Sequence, residues 1–218
     1  MSYTALGLLI TSIFLFACFL VASVFNYKAR FKKEYHLRSH FPYELNYHGR
    51  YQDNIYGNIL YALYFVAVAV FFVFFSNGFI NGYLIFAMVA GAITLISLSA
   101  LVYIPIDHLR LHMIVVALAF IFSLAFSFSI VLASYFKYKD SSSIPAVVSL
   151  VISTLTSAFY AILILNPKLM HWAEMEDKTN EDGTVVKVRP KYFVLAYSEW
   201  SLMIIYLLSL ISLFVETI

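Results

Sequence analysis

Four histidines occur as two pairs with a spacing that suits metal binding. His36 and His40 are four residues apart, and so are His108 and His112. Two imidazoles at positions i and i+4 of a helix lie on one face and can share a metal ion. The pattern admits a metal-dependent enzyme, provided that the segment with the first pair folds against the segment with the second. The alternative is that these histidines only line a membrane boundary, where most polar residues of the chain lie.

Glu199 is a second candidate, because it stands within an apolar run that is long enough to cross a membrane. A charged side chain in the centre of a membrane helix costs about 2.5–3.5 kcal/mol on insertion scales, and less near the interface. We therefore expect Glu199 to face the protein interior and to find a partner, with Arg110 and His112 as candidates at similar depth. It could serve as the coupling group of a small transporter or as a structural hydrogen-bond acceptor. Trp200 beside it suits an interfacial anchor.

Small residues recur at helical spacing in the apolar runs. Ala87 and Gly91 are four residues apart, and Ser149, Ser153 and Ser157 follow the same interval. Such positions let two helix backbones approach closely, and serine hydroxyls can bond across the contact. The stripes could instead line a polar conduit, but no charged residue lies deep along them. They therefore favour helix packing.

Familiar catalytic motifs are missing from the sequence. It has no phosphate-binding loop, no G-x-S-x-G turn, no Gly-rich dinucleotide fingerprint and no Cys-based metal motif. The sequence thus predicts no cofactor, with a metal ion only under the histidine hypothesis. It favours a protein that is not an enzyme.

The composition requires an apolar solvent for most of the chain. Hydrophobic residues make up 62% and charged residues 12% of the 218 residues, whereas soluble domains have roughly 45–50% and about 25%. We predict an all-α, polytopic membrane protein, with a single transmembrane domain over residues 1–218.

Uncharged stretches set the predicted spans, since a helix needs about 20 apolar residues to cross the bilayer. The uncharged stretch 54–106 is too long for one span, and its Asn-Gly and Gly residues within 76–82 predict a turn that divides it. Asp182-Gly183 before a β-branched run indicates a small hairpin in the last loop. The six predicted spans cover residues 4–25, 57–75, 83–104, 111–136, 144–166 and 193–215.

The distribution of Lys and Arg predicts the orientation. Loops 26–56, 105–110 and 167–192 carry 12 of these residues, and the other face carries only Lys137 and Lys139. Cytoplasmic loops are enriched in Lys and Arg. We therefore expect these three loops in the cytoplasm and both termini on the non-cytoplasmic side of a cell (plasma) membrane. The basic residues that follow the first apolar run favour an uncleaved helix over a cleaved leader.

Three local features resemble the six-span family of damage-regulated autophagy modulators and related lipid-linked proteins. They are Phe41-Pro42-Tyr43 in a long loop after the first span, a His near the beginning of the fourth span, here His108 or His112, and the Glu199-Trp200 pair in the last span. The resemblance implies a non-enzymatic or lipid-handling membrane protein rather than a solute pump.

The leading hypothesis is a lipid-handling protein or an accessory subunit. Membrane lipids are the expected partners, since the basic first loop can attract anionic headgroups. Another membrane protein or a cytoplasmic partner could dock on loops 26–56 and 167–192. Nucleic acid is not expected, because membrane topology already explains where the positive charges lie.

Overall fold

The structure is a computed structural model that describes residues 2–46, 51–76, 82–171, 175–180 and 183–218. Within these ranges, six helices are long and apolar enough to cross a membrane. They confirm the predicted all-α bundle of six spans and make the chain a multi-pass integral membrane protein. The helices are α1 (Ser2–Phe31), α2 (Ile55–Ser76), α3 (Gly82–Tyr103), α4 (Leu109–Ser141), α5 (Ile144–Ile164) and α6 (Val194–Glu216).

Two helices extend five or more residues beyond the predicted C-terminal ends of their spans. α1 continues beyond residue 25 to Phe31, and α4 continues beyond residue 136 to Ser141. The predicted bounds followed the apolar run, but a helix can continue beyond the hydrocarbon layer of the bilayer. The 33 residues of α4 rise about 50 Å at about 1.5 Å per residue, against a hydrocarbon core of about 30 Å. Its charged last turn therefore extends past the apolar layer.

The local sequence accounts for several of the connections between helices. Ser142 leaves α4 with a left-handed φ of 48°, and the Ser143 hydroxyl then accepts a hydrogen bond from the Ala146 amide to cap α5. The stretch 54–106 divides as predicted into α2 and α3, although residues 77–81 of the predicted turn lie outside the described residues. The predicted hairpin is also present: strands β1 (Glu176–Thr179) and β2 (Val185–Val188) pair antiparallel.

α6 is the central helix of the bundle. It packs against α1, α3, α4 and α5, and 67% of its apolar window is buried, compared with 28% for α1 and for α5. The outer helices instead expose large apolar side chains, such as Phe14 and Phe159, which suits contact with lipid tails. Polar groups on α6 therefore face protein rather than lipid.

Ala87 and Gly91 lie at a close contact of α3 with its neighbours. Both are buried. A Cβ on Gly91 would come within 2.8 Å of the Phe72 ring and 3.0 Å of the Phe126 ring, and the Gly91 carbonyl accepts a hydrogen bond from Tyr206 at 2.9 Å. Only a glycine leaves room for this approach of α2, α4 and α6 to α3.

The serine stripe of α5 makes hydrogen bonds to two helices. The Ser149 hydroxyl donates to the Ser212 carbonyl of α6 at 2.9 Å, and the Ser157 hydroxyl donates to Ser127 of α4 at 2.9 Å. Ser153, also buried, donates to the carbonyl of Ser149 in its own helix at 2.7 Å. The Ser153 carbonyl accepts from Ser127 of α4 at 2.9 Å, so all three predicted packing serines bond across helices, two through their hydroxyl groups and one through its backbone.

The connections α1–α2, α3–α4 and α5–α6 lie at one end of the bundle, here called the basic end, and the connection α4–α5 lies at the opposite end. The first loop folds back onto the basic end through side-chain amides. Asn54 donates to Asn46 at 2.7 Å and to Ser23 of α1 at 3.0 Å, and Asn46 donates to the Val102 carbonyl of α3 at 3.2 Å. These bonds fix the loop against α1 and α3.

Candidate functional site at the basic end

A buried pair of ionisable side chains lies inside the basic end. His112 stands in the first turn of α4 and Glu199 in the second turn of α6, and both are 0% exposed. His112 Nε2 lies 2.9 Å from Glu199 Oε1, and His112 Nδ1 lies 2.9 Å from the Ile104 carbonyl oxygen. A carbonyl oxygen only accepts hydrogen bonds. Nδ1 therefore carries a proton, and the pair ties together α3, α4 and α6.

The structure selects His112 rather than Arg110 as the partner of Glu199. Arg110 and His108 are exposed at the beginning of α4, because His108 precedes the helix and Arg110 lies on a different face of the first turn from His112. The second carboxylate oxygen, Glu199 Oε2, is buried and receives no hydrogen bond from the described residues. Glu199 thus has one satisfied oxygen and one unsatisfied oxygen.

The first loop forms a roof over the pair, defined here as Phe41, Pro42 and Tyr43. All three residues are buried. The rings of Phe41 and Tyr43 meet the imidazole of His112 edge to face, at centroid distances of 5.9 and 5.8 Å. Aromatic edges and faces pack favourably in this geometry. The roof therefore covers the pair with apolar surface.

Hydrogen bonds from α6 and the last loop hold the roof in place. Trp200 Nε1 donates to the His40 carbonyl at 2.9 Å, and the Phe193 amide donates to the Arg38 carbonyl at 2.8 Å. Tyr35 donates to the Phe41 carbonyl at 2.7 Å. Trp200 is 2% exposed, so the expected interfacial anchor is covered by the first loop instead.

A two-pronged ion pair joins the two long loops. Arg189 lies 2.7 Å and 3.0 Å from the two carboxylate oxygens of Glu44, and it also donates to the Ser39 carbonyl at 2.9 Å. Burial disfavours the charged guanidinium, but the hydrogen bonds and charge of Glu44 more than offset this and raise the pKa of Arg189. The planar guanidinium suits such a forked contact better than an ammonium. Arg189 thus clamps the roof to the last loop.

Beside the roof is an open pocket of about 710 Å³, here called the basic pocket, lined by residues 35–40 and 189–191. Its lining includes Arg38, Arg189 and Lys191 and contains no carboxylate. Arg189 is engaged by Glu44. Arg38 and Lys191 are exposed and lie 5.4 and 5.9 Å from the Tyr192 ring centroid. Two positive side chains are thus presented to an incoming ligand beside an aromatic ring.

The two titratable side chains in the inner wall of this pocket are both held neutral near pH 7. Burial lowers the pKa of His40, partly offset by the Glu44 carboxylate. Burial raises the pKa of Tyr35 well above its usual value, and the carboxylates of Glu44 and Glu199 raise it further. The inner wall is therefore neutral, and the positive charge lies towards the mouth.

The four histidines proposed as metal ligands occupy different environments. His36 and His40 are neighbours, with ring centroids 6.2 Å apart. His108 is exposed, whereas His112 is buried with both ring nitrogens bonded. Within the described ranges, no group of three or more His, Cys, Asp or Glu side chains is arranged to hold a metal ion. A metal at His112 would require one of its two hydrogen bonds to break.

Sequence reasoning missed the clamp and the roof. Glu44 and Arg189 are 145 residues apart, so no local spacing links them. No pattern singles out this pair, since both long loops carry charges of both signs. The function of Tyr35 and Phe41 as a cover had no separate signal beyond the aromatic character of the segment.

Comparison with protein-family models, with curated proteins and with solved structures finds no match for this chain. The resemblance to the damage-regulated autophagy modulators therefore stays a prediction. The structure does bring its three features together. The Phe41 ring packs on His112, His112 bonds Glu199, and Trp200 bonds the residue before Phe41.

Proposed function

We propose that this membrane protein binds the anionic headgroup of a phospholipid in the basic pocket. The observation that carries the proposal is the lining of that pocket, which has three cationic side chains and no carboxylate. The proposal gives the lipid-handling hypothesis a specific location. It also accounts for why the two long loops are held together at this end.

The chemistry of the pocket suits a phosphate group. A guanidinium presents paired donors to phosphate oxygens, and an ammonium contributes a compact charge. Arg38 and Lys191 supply one of each at the mouth. Arg189 cannot contribute fully without leaving Glu44, so a headgroup first meets two cations that have no carboxylate partner among the described residues.

The surroundings favour a lipid over a soluble anion. Tyr192 is exposed between the two cations and directly precedes Phe193, after which α6 begins at Val194. Tyrosine at a helix end suits the headgroup layer of a bilayer. A headgroup held there would leave its acyl chains beside the outer helices.

The same proposal includes an orientation. We infer that the basic end faces the cytoplasm of a plasma membrane, where anionic lipids are concentrated, and that both termini lie on the other side. Accessibility of tags at the two termini in intact cells tests this inference. Detection of either tag only after permeabilisation would contradict it.

Native mass spectrometry of the purified protein tests headgroup binding. Phosphatidic acid, phosphatidylserine and phosphatidylcholine with identical acyl chains would be titrated separately, and inorganic phosphate would be added as the soluble competitor. We expect both anionic lipids to bind at least several-fold more tightly than phosphatidylcholine. Equal affinities would contradict the proposal, and displacement by millimolar phosphate would identify a soluble anion as the ligand.

Matched variants separate the pocket from general charge. The double variant Arg38→Gln and Lys191→Gln removes the two exposed cationic side chains of the basic pocket. We expect it to abolish the preference for anionic lipids. Lys178→Gln combined with Lys187→Gln removes the same charge from the exposed hairpin strands and should leave the preference intact. If both double variants lose it equally, the basic end attracts lipids only by its overall charge.

A further inference from the structure

The hydrogen bonds of His112 fix where the protons of the buried pair lie. The Ile104 carbonyl accepts from Nδ1, so the contact between Nε2 and Glu199 Oε1 contains one further proton. That proton lies either on the imidazolium or on the carboxylic acid. In both cases the pair has a net charge of zero, and one oxygen of the carboxyl group takes no part.

This unused oxygen is the unusual feature of the site. Glu199 Oε2 is buried and has no hydrogen-bond donor among the described residues. A buried acceptor without a donor is unfavourable, because its hydrogen bonds to water are lost and not replaced. By contrast, the other three polar atoms of the pair's two functional groups all have partners.

We propose that the His112–Glu199 pair is a proton-binding site that takes up one proton on Glu199 Oε2. The proton comes from water at the basic end and forms an O–H bond on the carboxyl group. Before uptake the shared proton lies on His112, so the pair is an imidazolium and a carboxylate, and His112 stays an imidazolium afterwards. A hydronium ion gives up the proton, the net charge of the pair changes from zero to plus one, and no other bond forms or breaks.

Proton uptake by the pair depends on the charged and polar groups around it, most of which come from the loops at the basic end. From the first loop, the Tyr43 ring meets His112, and Tyr35 and Glu44 interact electrostatically with Glu199. From the last loop, Arg189 neutralises Glu44. α3 contributes the Ile104 carbonyl, and from α1 the Tyr27 ring meets the edge of Tyr35.

Tyr35 marks the side from which a proton can arrive. It lines the basic pocket, and its ring lies 6.2 Å from that of Trp200, the neighbour of Glu199 in α6. Tyr35 thus links the lining of the pocket to the residue next to Glu199. The site is distinct from the headgroup site and does not depend on it.

Infrared difference spectroscopy of the protein in liposomes tests the proposal. Spectra recorded between pH 7.5 and 5 should contain the carbonyl stretching band of a newly protonated carboxylic acid. The band should be absent in Glu199→Gln, whose amide can still bond His112. It should persist in Glu216→Gln, which removes another buried acid of α6. A band that persists in Glu199→Gln, or is lost only in Glu216→Gln, would overturn the assignment.

Nitrogen NMR of the native protein labelled at histidine gives an independent test that needs no folded Glu199 variant. The resonances of His112 would be assigned by their loss in His112→Gln or by distance to Ile104. We expect Nδ1 and Nε2 both to carry protons between pH 7.5 and 5, and the Nε2 resonance to shift on acidification as the adjacent carboxylate loses its charge. A proton on Nε2 alone at neutral pH, or resonances that do not change down to pH 5, would overturn the proposal.

Discussion

The central helix α6 buries one carboxylic acid near each end, and the two acids have different surroundings. Glu216, at the opposite end, is 4% exposed, and its Oε2 accepts a hydrogen bond from Ser134 at 2.7 Å. Lys137 donates to the Glu216 backbone carbonyl. Glu199, at the basic end, bonds the imidazole of His112 and leaves Oε2 unpaired.

The surroundings of the two acids differ because different parts of the chain form them. The partners of Glu216 come from the last turns of α4 beside a short connection, so hydroxyl groups and one lysine suffice. The surroundings of Glu199 come from two long loops that reach across the bundle, with a roof, a clamp and a pocket. In the described residues, the basic end combines an enclosed titratable pair with an open basic pocket. We therefore propose that the function resides at that end.

The largest expected effect is the loss of one member of the buried pair. His112→Leu should lower the free energy of unfolding by about 3–5 kcal/mol, because it leaves the Glu199 carboxylate buried without its partner. Ser134→Ala, at the other acid, should cost only about 1 kcal/mol. Unfolding in mixed micelles measures both. Adding Glu199→Met to His112→Leu should recover much of the loss, and equal costs for the two single variants would erase the contrast between the ends.

Removal of the roof should have a comparable or slightly smaller effect. Phe41 is 1% exposed, and Phe41→Ala should lower stability by about 3–4 kcal/mol through lost burial and a cavity. Phe159→Ala on the outer face of α5, where the ring is 54% exposed, is the matched control. Thermal unfolding in detergent compares them. Similar losses for both rings would mean that the first loop does not pack as described.

Much of the fold could be predicted because the local composition of the sequence indicates where each membrane span lies. The six helices, the division of the stretch 54–106 into α2 and α3, and the hairpin followed from uncharged runs and Gly residues. The depth of Glu199 also predicted a buried partner and included His112 among the candidates. The roof and the Glu44–Arg189 clamp could not be predicted, because they depend on how two distant loops fold onto the helices.

Gly91 gives a smaller and purely steric test away from the site. Gly91→Ala would bring a methyl group against the Phe72 and Phe126 rings, and overpacking of this kind costs about 1–3 kcal/mol. Unfolding in mixed micelles measures it. Gly82→Ala is the control, since a Cβ there meets no atom within 4 Å. A neutral Gly91→Ala would show that the helices can separate at this contact without cost.

The smallest expected effect is a pH dependence of headgroup binding. Burial lowers the pKa of His40, so this side chain is neutral at pH 7 and gains its proton only below its ordinary value of about 6.5. Protonation adds positive charge to the pocket wall. We expect phosphatidylglycerol, whose charge is constant in this range, to bind a few-fold more tightly at pH 5.5 than at pH 7. The increase should shrink in His40→Gln, and an affinity that falls on acidification would contradict the sign.

Photo-crosslinking tests the location of the headgroup most directly. A phosphatidic acid analogue with a photoreactive group on the headgroup would be incorporated into liposomes with the protein, and crosslinked peptides would be mapped by mass spectrometry. The account predicts crosslinks within residues 35–40 and 189–191, and competition by phosphatidic acid but not by phosphatidylcholine. Crosslinks spread over the outer faces of α1 and α5, or equal competition by both lipids, would contradict it.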